Sequence, residues 1–319
     1  MHAKGLFSVD INATKPIISN KKGLYLKNAI HPLLYLHNQK LNRIVVPLDI
    51  WLTEEKPLLL ISGPNAGGKS VCLKTLGLLQ YMMQCGCLIP ANENSQMTIF
   101  RKIFIDIGDE QSIENDLSTY SSHLLNLKFF LENGDNDTLI LIDEFGSGTE
   151  PTIGGAIAEA VLEEFCKMKV YGVITTHFSN LKNFASNNPH IQNGAMLFDV
   201  EKITPLYKLV IGSPGSSYAI DIARKIGLPE YILKRASIKA GKNHIILDRS
   251  LRKIQRDKQY WHEKKENIKQ KEKKIDNILE IYLNELENIK KQQKKIIEEA
   301  KIKAQEIINE ANKKVEQTI

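Results

Sequence analysis

Leu58-Leu59-Leu60-Ile61-Ser62-Gly63-Pro64-Asn65-Ala66-Gly67-Gly68-Lys69-Ser70-Val71 decides the fold. Its first five residues are an apolar run short enough to be a buried strand. The next eight are G-x-x-x-x-G-K-S, and a helical pattern runs on through Val71, Cys72, Leu73, Lys74, Thr75 and Leu76. Strand, glycine loop and helix in that order are the setting of a P-loop. The glycines let backbone N–H groups turn inward around phosphate oxygens, and the helix start adds partial positive charge. In this pattern Lys69 neutralises the β- and γ-phosphates, and the Ser70 hydroxyl can ligate Mg²⁺. Gly63, Pro64, Asn65, Ala66, Gly67, Gly68, Lys69, Ser70 and Val71 are therefore the candidate nucleotide contacts, with ATP and Mg²⁺ as the expected cofactors.

Three further stretches belong with the loop. Thr138-Leu139-Ile140-Leu141-Ile142 is a second apolar run and ends in Asp143-Glu144. A carboxylate at the end of a buried strand beside a P-loop is placed to hold Mg²⁺, which assigns Asp143 to the metal together with Ser70. Glu144 is the candidate to orient or deprotonate the attacking water. Val170-Tyr171-Gly172-Val173-Ile174-Thr175-Thr176 is a third strand and leads into His177. Neighbouring strand ends of a parallel sheet share one ligand edge, so His177 is a candidate contact for the γ-phosphate or its water. Asp116-Leu117-Ser118-Thr119-Tyr120-Ser121-Ser122-His123 precedes the helical run Leu124 to Phe129. It reads as a hydroxyl-rich helix start, either a plain cap or an anion site for a phosphate presented by another subunit.

Composition bounds the rest. The chain has 319 residues, 42% hydrophobic and 25% charged, enough to bury a core and too apolar for wholesale disorder. No stretch is long and apolar enough for a membrane span, and the first residues lack a signal-peptide pattern. Cys72, Cys85, Cys87 and Cys166 are too few and too irregularly spaced for a disulfide framework or a zinc site, which fits reduced thiols in the cytoplasm. The net charge of +6 is uneven: residues 1–241 carry 23 basic and 23 acidic side chains, and residues 242–319 carry 20 and 14. An anionic partner is therefore expected at the tail.

Three segments follow. Residues 1–22 are polar and patternless and read as a linker or the end of a core domain. Residues 23–241 alternate apolar runs with helical patterns, the mark of α/β architecture. Residues 242–319 lack Gly and Pro, and Leu247, Ile254, Trp261, Ile268, Ile275, Tyr282, Ile289 and Ile296 recur at intervals of seven. That period predicts a long helix with a coiled-coil seam.

Taken together, GPNAGGKS, the Ser118–His123 segment, ILIDEFGSGTEP and TTHF resemble the MutS family of ATPases, within the ABC class of P-loop proteins. Gly212-Ser213-Pro214-Gly215-Ser216-Ser217-Tyr218-Ala219, Gly227-Leu228-Pro229 and the coil beyond resemble the second bacterial subfamily, the MutS-two type. The resemblance implies an ABC-class sheet flanked by helices, in an ATPase domain that dimerises with nucleotide at the interface. It implies Glu144 as the catalytic carboxylate, with Ser118, Thr119 and Ser121 reaching the γ-phosphate of the opposite subunit. It implies that His31-Pro32 and Val46-Pro47-Leu48-Asp49 frame the adenine and that Gly146–Thr149 crosses the dimer interface. It also implies a fragment holding the ATPase domain and part of an arm, without the nuclease activity of full-length relatives.

The function expected is a nucleotide-gated homodimeric clamp on mismatched or branched DNA, or on stalled ribosomes and their rRNA, away from membranes. Other ABC-class machines fit less well. A transporter subunit would carry Leu-Ser-Gly-Gly-Gln before its Asp-Glu strand, and a chromosome ATPase would place a long coil between P-loop and Asp-Glu. A non-hydrolysing scaffold would not need Glu144 or His177.

Overall fold

The computed structural model of the chain describes residues 2–64, 67–108, 119–199, 202–240 and 242–316. The elements in order are α1 (His2–Asp10), β1 (Ile17–Ile18), β2 (Leu24–Ala29), α2 (Pro32–Lys40), β3 (Leu48–Leu52), β4 (Leu58–Ser62), α3 (Lys69–Gln84), β5 (Gln96–Met97) and β6 (Lys102–Asp106). Then come α4 (Thr119–Asn133), β7 (Thr138–Ile142), α5 (Pro151–Met168), β8 (Tyr171–Thr175), α6 (Ser179–Asn187), β9 (Ile191–Asp199), β10 (Thr204–Ile211), α7 (Ala219–Ile226), α8 (Glu230–Ala240) and α9 (Lys242–Glu316).

The continuous apolar runs become central strands because both of their faces are covered. All five residues of β4, β7 and β8 are buried. They sit in a six-stranded sheet ordered β10-β9-β4-β8-β7-β6, parallel except for the β10–β9 pair. Alternate residues of each strand point to opposite faces. Leu59, Ile61, Leu139, Leu141 and Val173 join one core with Leu73, Leu76 and Leu79 of α3. Leu58, Leu60, Ile140, Ile142 and Ile174 join the other with Phe130 of α4, Leu162 and Phe165 of α5, and Leu181 of α6. Burying one such side chain is worth about 1.5–3 kcal/mol.

Local chemistry sets the helix limits. At α5 the Glu150 carboxylate accepts from Thr152 N and Ile153 N, Pro151 opens the helix, and Lys169 closes it with φ +56°. The pairings Ile61 with Thr175, Ile142 with Ile174 and Asp106 with Ile142 set the C-terminal ends of β4, β8, β7 and β6 along one edge.

Residues 1–22, expected to be a linker or the end of a core domain, are not patternless. They hold α1 and β1, and Ile11, 1% exposed, lies inside the α3 core. Thr14 bridges to Ile89, and β1 pairs with β5, completing a second sheet ordered β1-β5-β2-β3. The partners lie more than seventy residues along the chain, so no local period announces them.

Two compact units divide between Gln255 and Arg256, beyond the composition boundary at Gly241. The second unit is the continuation of α9. Its seam residues Trp261, Ile268, Ile275, Tyr282, Ile289 and Ile296 are all exposed, so within that unit the heptad faces no partner. The long helix is present, and a pairing helix is not among the described residues. No helix among those residues is long and apolar enough to cross a membrane.

Candidate functional site

The loop after β4 is shaped by close backbone approach. Gly63 has φ +145°, and a Cβ there would lie 3.1 Å from Met196 Cβ. Gly68, the N-cap of α3, has φ +91° and would bring a Cβ to 3.2 Å from the Tyr207 ring. Both positions favour a residue without a side chain. Lys69 opens α3 and is 4% exposed. Its Nζ donates to Gly63 O and Pro64 O, both at 3.0 Å, so the ammonium is turned onto the loop it follows. Burial pulls its pKa down to about 8; Asp143 and Glu144 oppose that shift and Lys182 adds to it. An ammonium kept at a low-dielectric site with spare donors is suited to an incoming anion.

At the end of β7, Asp143 is 8% exposed and its N–H donates to Asp106 O at 2.8 Å. Its Oδ1 accepts from Thr175 Oγ1 at 2.5 Å and from Glu144 N at 3.2 Å. Glu144 N also donates to Thr175 Oγ1 at 2.9 Å. Glu144 itself has φ +49° and is exposed, whereas the next residue, Phe145, is 2% exposed and donates its N–H to Thr175 O. A left-handed glutamate costs about 1 kcal/mol or more, held here because its neighbours on both sides are fixed.

His177 follows Thr176, whose N–H donates to Ile61 O at 3.0 Å. Desolvation, then the charges of Lys69 and Lys182, lower the imidazole to about 4 against a smaller opposing pull from Asp143. At neutral pH the ring is therefore uncharged and offers one donor and one acceptor. Beyond β7, the buried Asp106 carboxylate takes His123 Nδ1 at 2.7 Å and Asn126 Nδ2 at 3.0 Å, which fixes α4 to the end of β6. Tyr120 and His123 share a narrow crevice with Asp143, Glu144 and Ser147.

On the other side of the loop a cavity of about 450 Å³ is lined by His31, Val46, Gly68, Val71, Met196 and Tyr207 among others. His31 caps α2, accepting Leu34 N–H on Nδ1 at 3.4 Å, and burial followed by Lys74 lowers its pKa. Tyr207 sits in the irregular part of β10, between Pro205 and Leu209, with φ +53°.

The family model for MutS domain V matches residues 59–243. The chain belongs to the MutS family. Every described residue of the edge just set out, from β4 to His177, lies in or beside the matched stretch. Endonuclease MutS2 of Alkaliphilus oremlandii is 42% identical over 256 residues, which cover 80% of this chain and 32% of that protein. Endonuclease MutS2 of Carboxydothermus hydrogenoformans is 41% identical over 282 residues, 86% of this chain and 35% of that one. Endonuclease MutS2 of Alkaliphilus metalliredigens is 37% identical over 309 residues, 97% and 38% respectively. The chain is of the MutS2 type, with the ATPase fold of domain V, and it spans about a third of the length of these relatives.

Within this MutS-type domain, Gly63, Pro64, Gly67, Gly68, Lys69, Ser70 and Val71 meet Asp143, Glu144 and His177 along one sheet edge. Ser121 and the backbone of Thr119 stand in the first turn of α4, which packs beside β6. Through Tyr120 that turn borders the Asp143–Glu144 end of the site, while three strand spacings, about 14 Å, separate β6 from β4, which carries the P-loop. Asn65, Ala66 and Ser118 lie outside the described residues, as does the Thr119 side chain. Sequence reasoning missed Thr175, which binds both Asp143 and Glu144, and Tyr207 and Met196, which face the loop glycines. Thr175 stood in plain view one residue before Thr176-His177, whereas β10 reads only as an alternating strand.

Proposed function

We propose that this chain binds ATP with Mg²⁺ at the β4–β7–β8 edge and hydrolyses it, and that two copies close on nucleotide to act on DNA. The observation that carries the reading is the convergence of the Lys69 ammonium, the Asp143–Glu144 carboxylates and the neutral His177 ring at one strand edge, beside a cavity of about 450 Å³. The residues fit the nucleotide. The loop glycines leave little room for a Cβ, Lys69 has acceptors it can exchange, and the cavity offers an aromatic and an imidazole for a base.

In this reading Lys69 trades Gly63 O and Pro64 O for phosphate oxygens. Ser70 and Asp143 hold Mg²⁺, with Thr175 fixing the Asp143 carboxylate. Mg²⁺, when bound, neutralises charge on the phosphates. Glu144 projects from its left-handed residue to orient the attacking water and take its proton. His177, uncharged, hydrogen-bonds at the terminal phosphate. Tyr207 and His31 flank the base. Ser118, Thr119 and Ser121 serve the partner's nucleotide; the first turn of α4, from Thr119 on, packs beside β6, three strands from β4.

The relatives' name, an endonuclease, supports a nucleic acid as the polymer handled. We place branched or mismatched DNA first and the ribosome with its rRNA second, in a cytoplasmic homodimer. The test is turnover by Glu144→Gln, with branched DNA and then ribosomes added to the parent protein. ATP binding should survive the substitution, turnover should fall by a factor of at least about a hundred, and ATP-bound dimers should accumulate. Undiminished turnover would remove Glu144 from the role; monomers only, in ATP and Mg²⁺, would remove the dimer.

A further inference from the structure

Lys182 is a cation that the reading above leaves unused. It stands in the first turn of α6, and both of its ends are fixed. Asn193 Nδ2, on β9, donates to Lys182 O and to Ser186 Oγ, each at 3.0 Å. At the other end Lys182 Nζ donates to Gly215 O at 3.1 Å. Gly215 lies directly on the entrance of the phosphate loop. Its N–H donates to Ser62 Oγ at 2.7 Å, and a Cβ there would sit 2.5 Å from Ser62 O and 3.0 Å from Gly63 N. A single glycine therefore separates the Lys182 ammonium from the backbone that opens the loop.

We propose that Lys182 is a second cationic contact for the terminal phosphate, through which the site tells a nucleoside triphosphate from a diphosphate. The proposal rests on the nucleotide reading given above. Its direction follows from position. The charge on Lys182 reaches both Lys69 and His177. The cavity on the base side, by contrast, is lined by Gly68, Val71, Met196 and Tyr207 and does not include it. A cation beside Lys69 and His177 and away from that cavity stands at the far end of the phosphate chain. Lys69 Nζ rests on Gly63 O and Pro64 O, and Lys182 Nζ rests on Gly215 O, whose own backbone packs against Ser62 and Gly63, so two like charges are held on neighbouring backbone at the loop entrance and repel each other. An anion between the two relieves the repulsion, and the more charged the anion, the more it relieves.

The experiment compares ADP with a non-hydrolysable triphosphate analogue, each with Mg²⁺, by calorimetry on the full chain. Lys182→Met should weaken the triphosphate analogue about tenfold, the size expected for one charge-assisted contact, and ADP by less than about twofold. Lys182→Arg, which keeps the charge, should restore most of the difference. Equal losses for both nucleotides would make Lys182 a fastener of the Gly212–Tyr218 loop and overturn the proposal, as would no loss at all. The wild-type protein gives a second readout that needs no variant. Labelling of Lys182 by an amine-reactive reagent should be slowed by the triphosphate analogue and not by ADP; equal protection by both would overturn it. Lys69→Ala serves as the separate control. If that variant binds both nucleotides as the parent does, the P-loop reading fails, whatever Lys182 shows.

Discussion

Raising the pH should switch off nucleotide binding through Lys69 alone. In the free protein its pKa is about 8, against an ordinary 10.5, because burial disfavours the ammonium and the charges of Asp143 and Glu144 only partly compensate, with a smaller further lowering from Lys182. In the folded protein the neutral form is therefore favoured, and between about pH 8 and 10.5 the unfolded chain holds a proton that the folded one has lost. The free fold gains stability as pH rises through that window, by about 3 kcal/mol at most. A phosphate on Lys69 reverses the preference, so the bound state takes the proton back. Half of the free sites are charged at pH 8 and about one in eleven at pH 9, which predicts an ADP affinity about fivefold weaker at pH 9. Higher still, the loss should approach tenfold per pH unit. Cys72 and Tyr171, both pushed to about 12 by burial, stay silent in this range. The assay is calorimetric titration of ADP and Mg²⁺ across this window in two buffers of different ionisation enthalpy. It should show uptake of about half a proton at pH 8. Lys69→Met should bind weakly with no slope of its own. A flat wild-type profile, or a parallel fall in Lys69→Met, would refute the reasoning.

Tyr207→Ala should weaken ADP and the triphosphate analogue equally, by about 1–3 kcal/mol if the ring stacks on the base, as the same calorimetry would show. Asp106→Asn should lower stability by about 1–3 kcal/mol in urea unfolding, because the buried carboxylate serves both His123 and Asn126. Removal of residues 242–319 should leave nucleotide affinity unchanged and weaken binding to nucleic acid, since the tail carries the whole charge excess. The salt dependence should flatten by about 0.9 in log–log slope for each duplex phosphate that the tail had neutralised. Equal slopes for intact and truncated chains would clear the tail of that role.

What the sequence showed and what it hid divide by distance along the chain. The P-loop, the Asp143–Glu144 strand end and His177 were legible because each is a local event: an apolar run, then a turn whose residue types the chemistry requires. The order of the strands was not legible, nor was the fate of residues 1–22, because β1 needs β5 and Ile11 needs α3. The contacts that tune the site are more remote still. Gly215 N reaches Ser62 Oγ across 153 residues, and Lys182 meets Gly215 across 33. A lysine on a short polar helix and a tyrosine on an edge strand carry no pattern of their own. Their meaning comes only from what the folded chain sets beside them.

Glu144 holds a backbone conformation that glycine or asparagine would adopt with less strain. Folding alone favours Gly or Asn there, and the role proposed for Glu144 is what would keep it. Among copies of such a gene, those in which nucleotide turnover no longer matters should drift first at this position, toward Gly or Asn, and their proteins should melt at slightly higher temperatures than the working ones. The residue then serves as a marker of retirement, separating domains that still cycle from those kept only as shape.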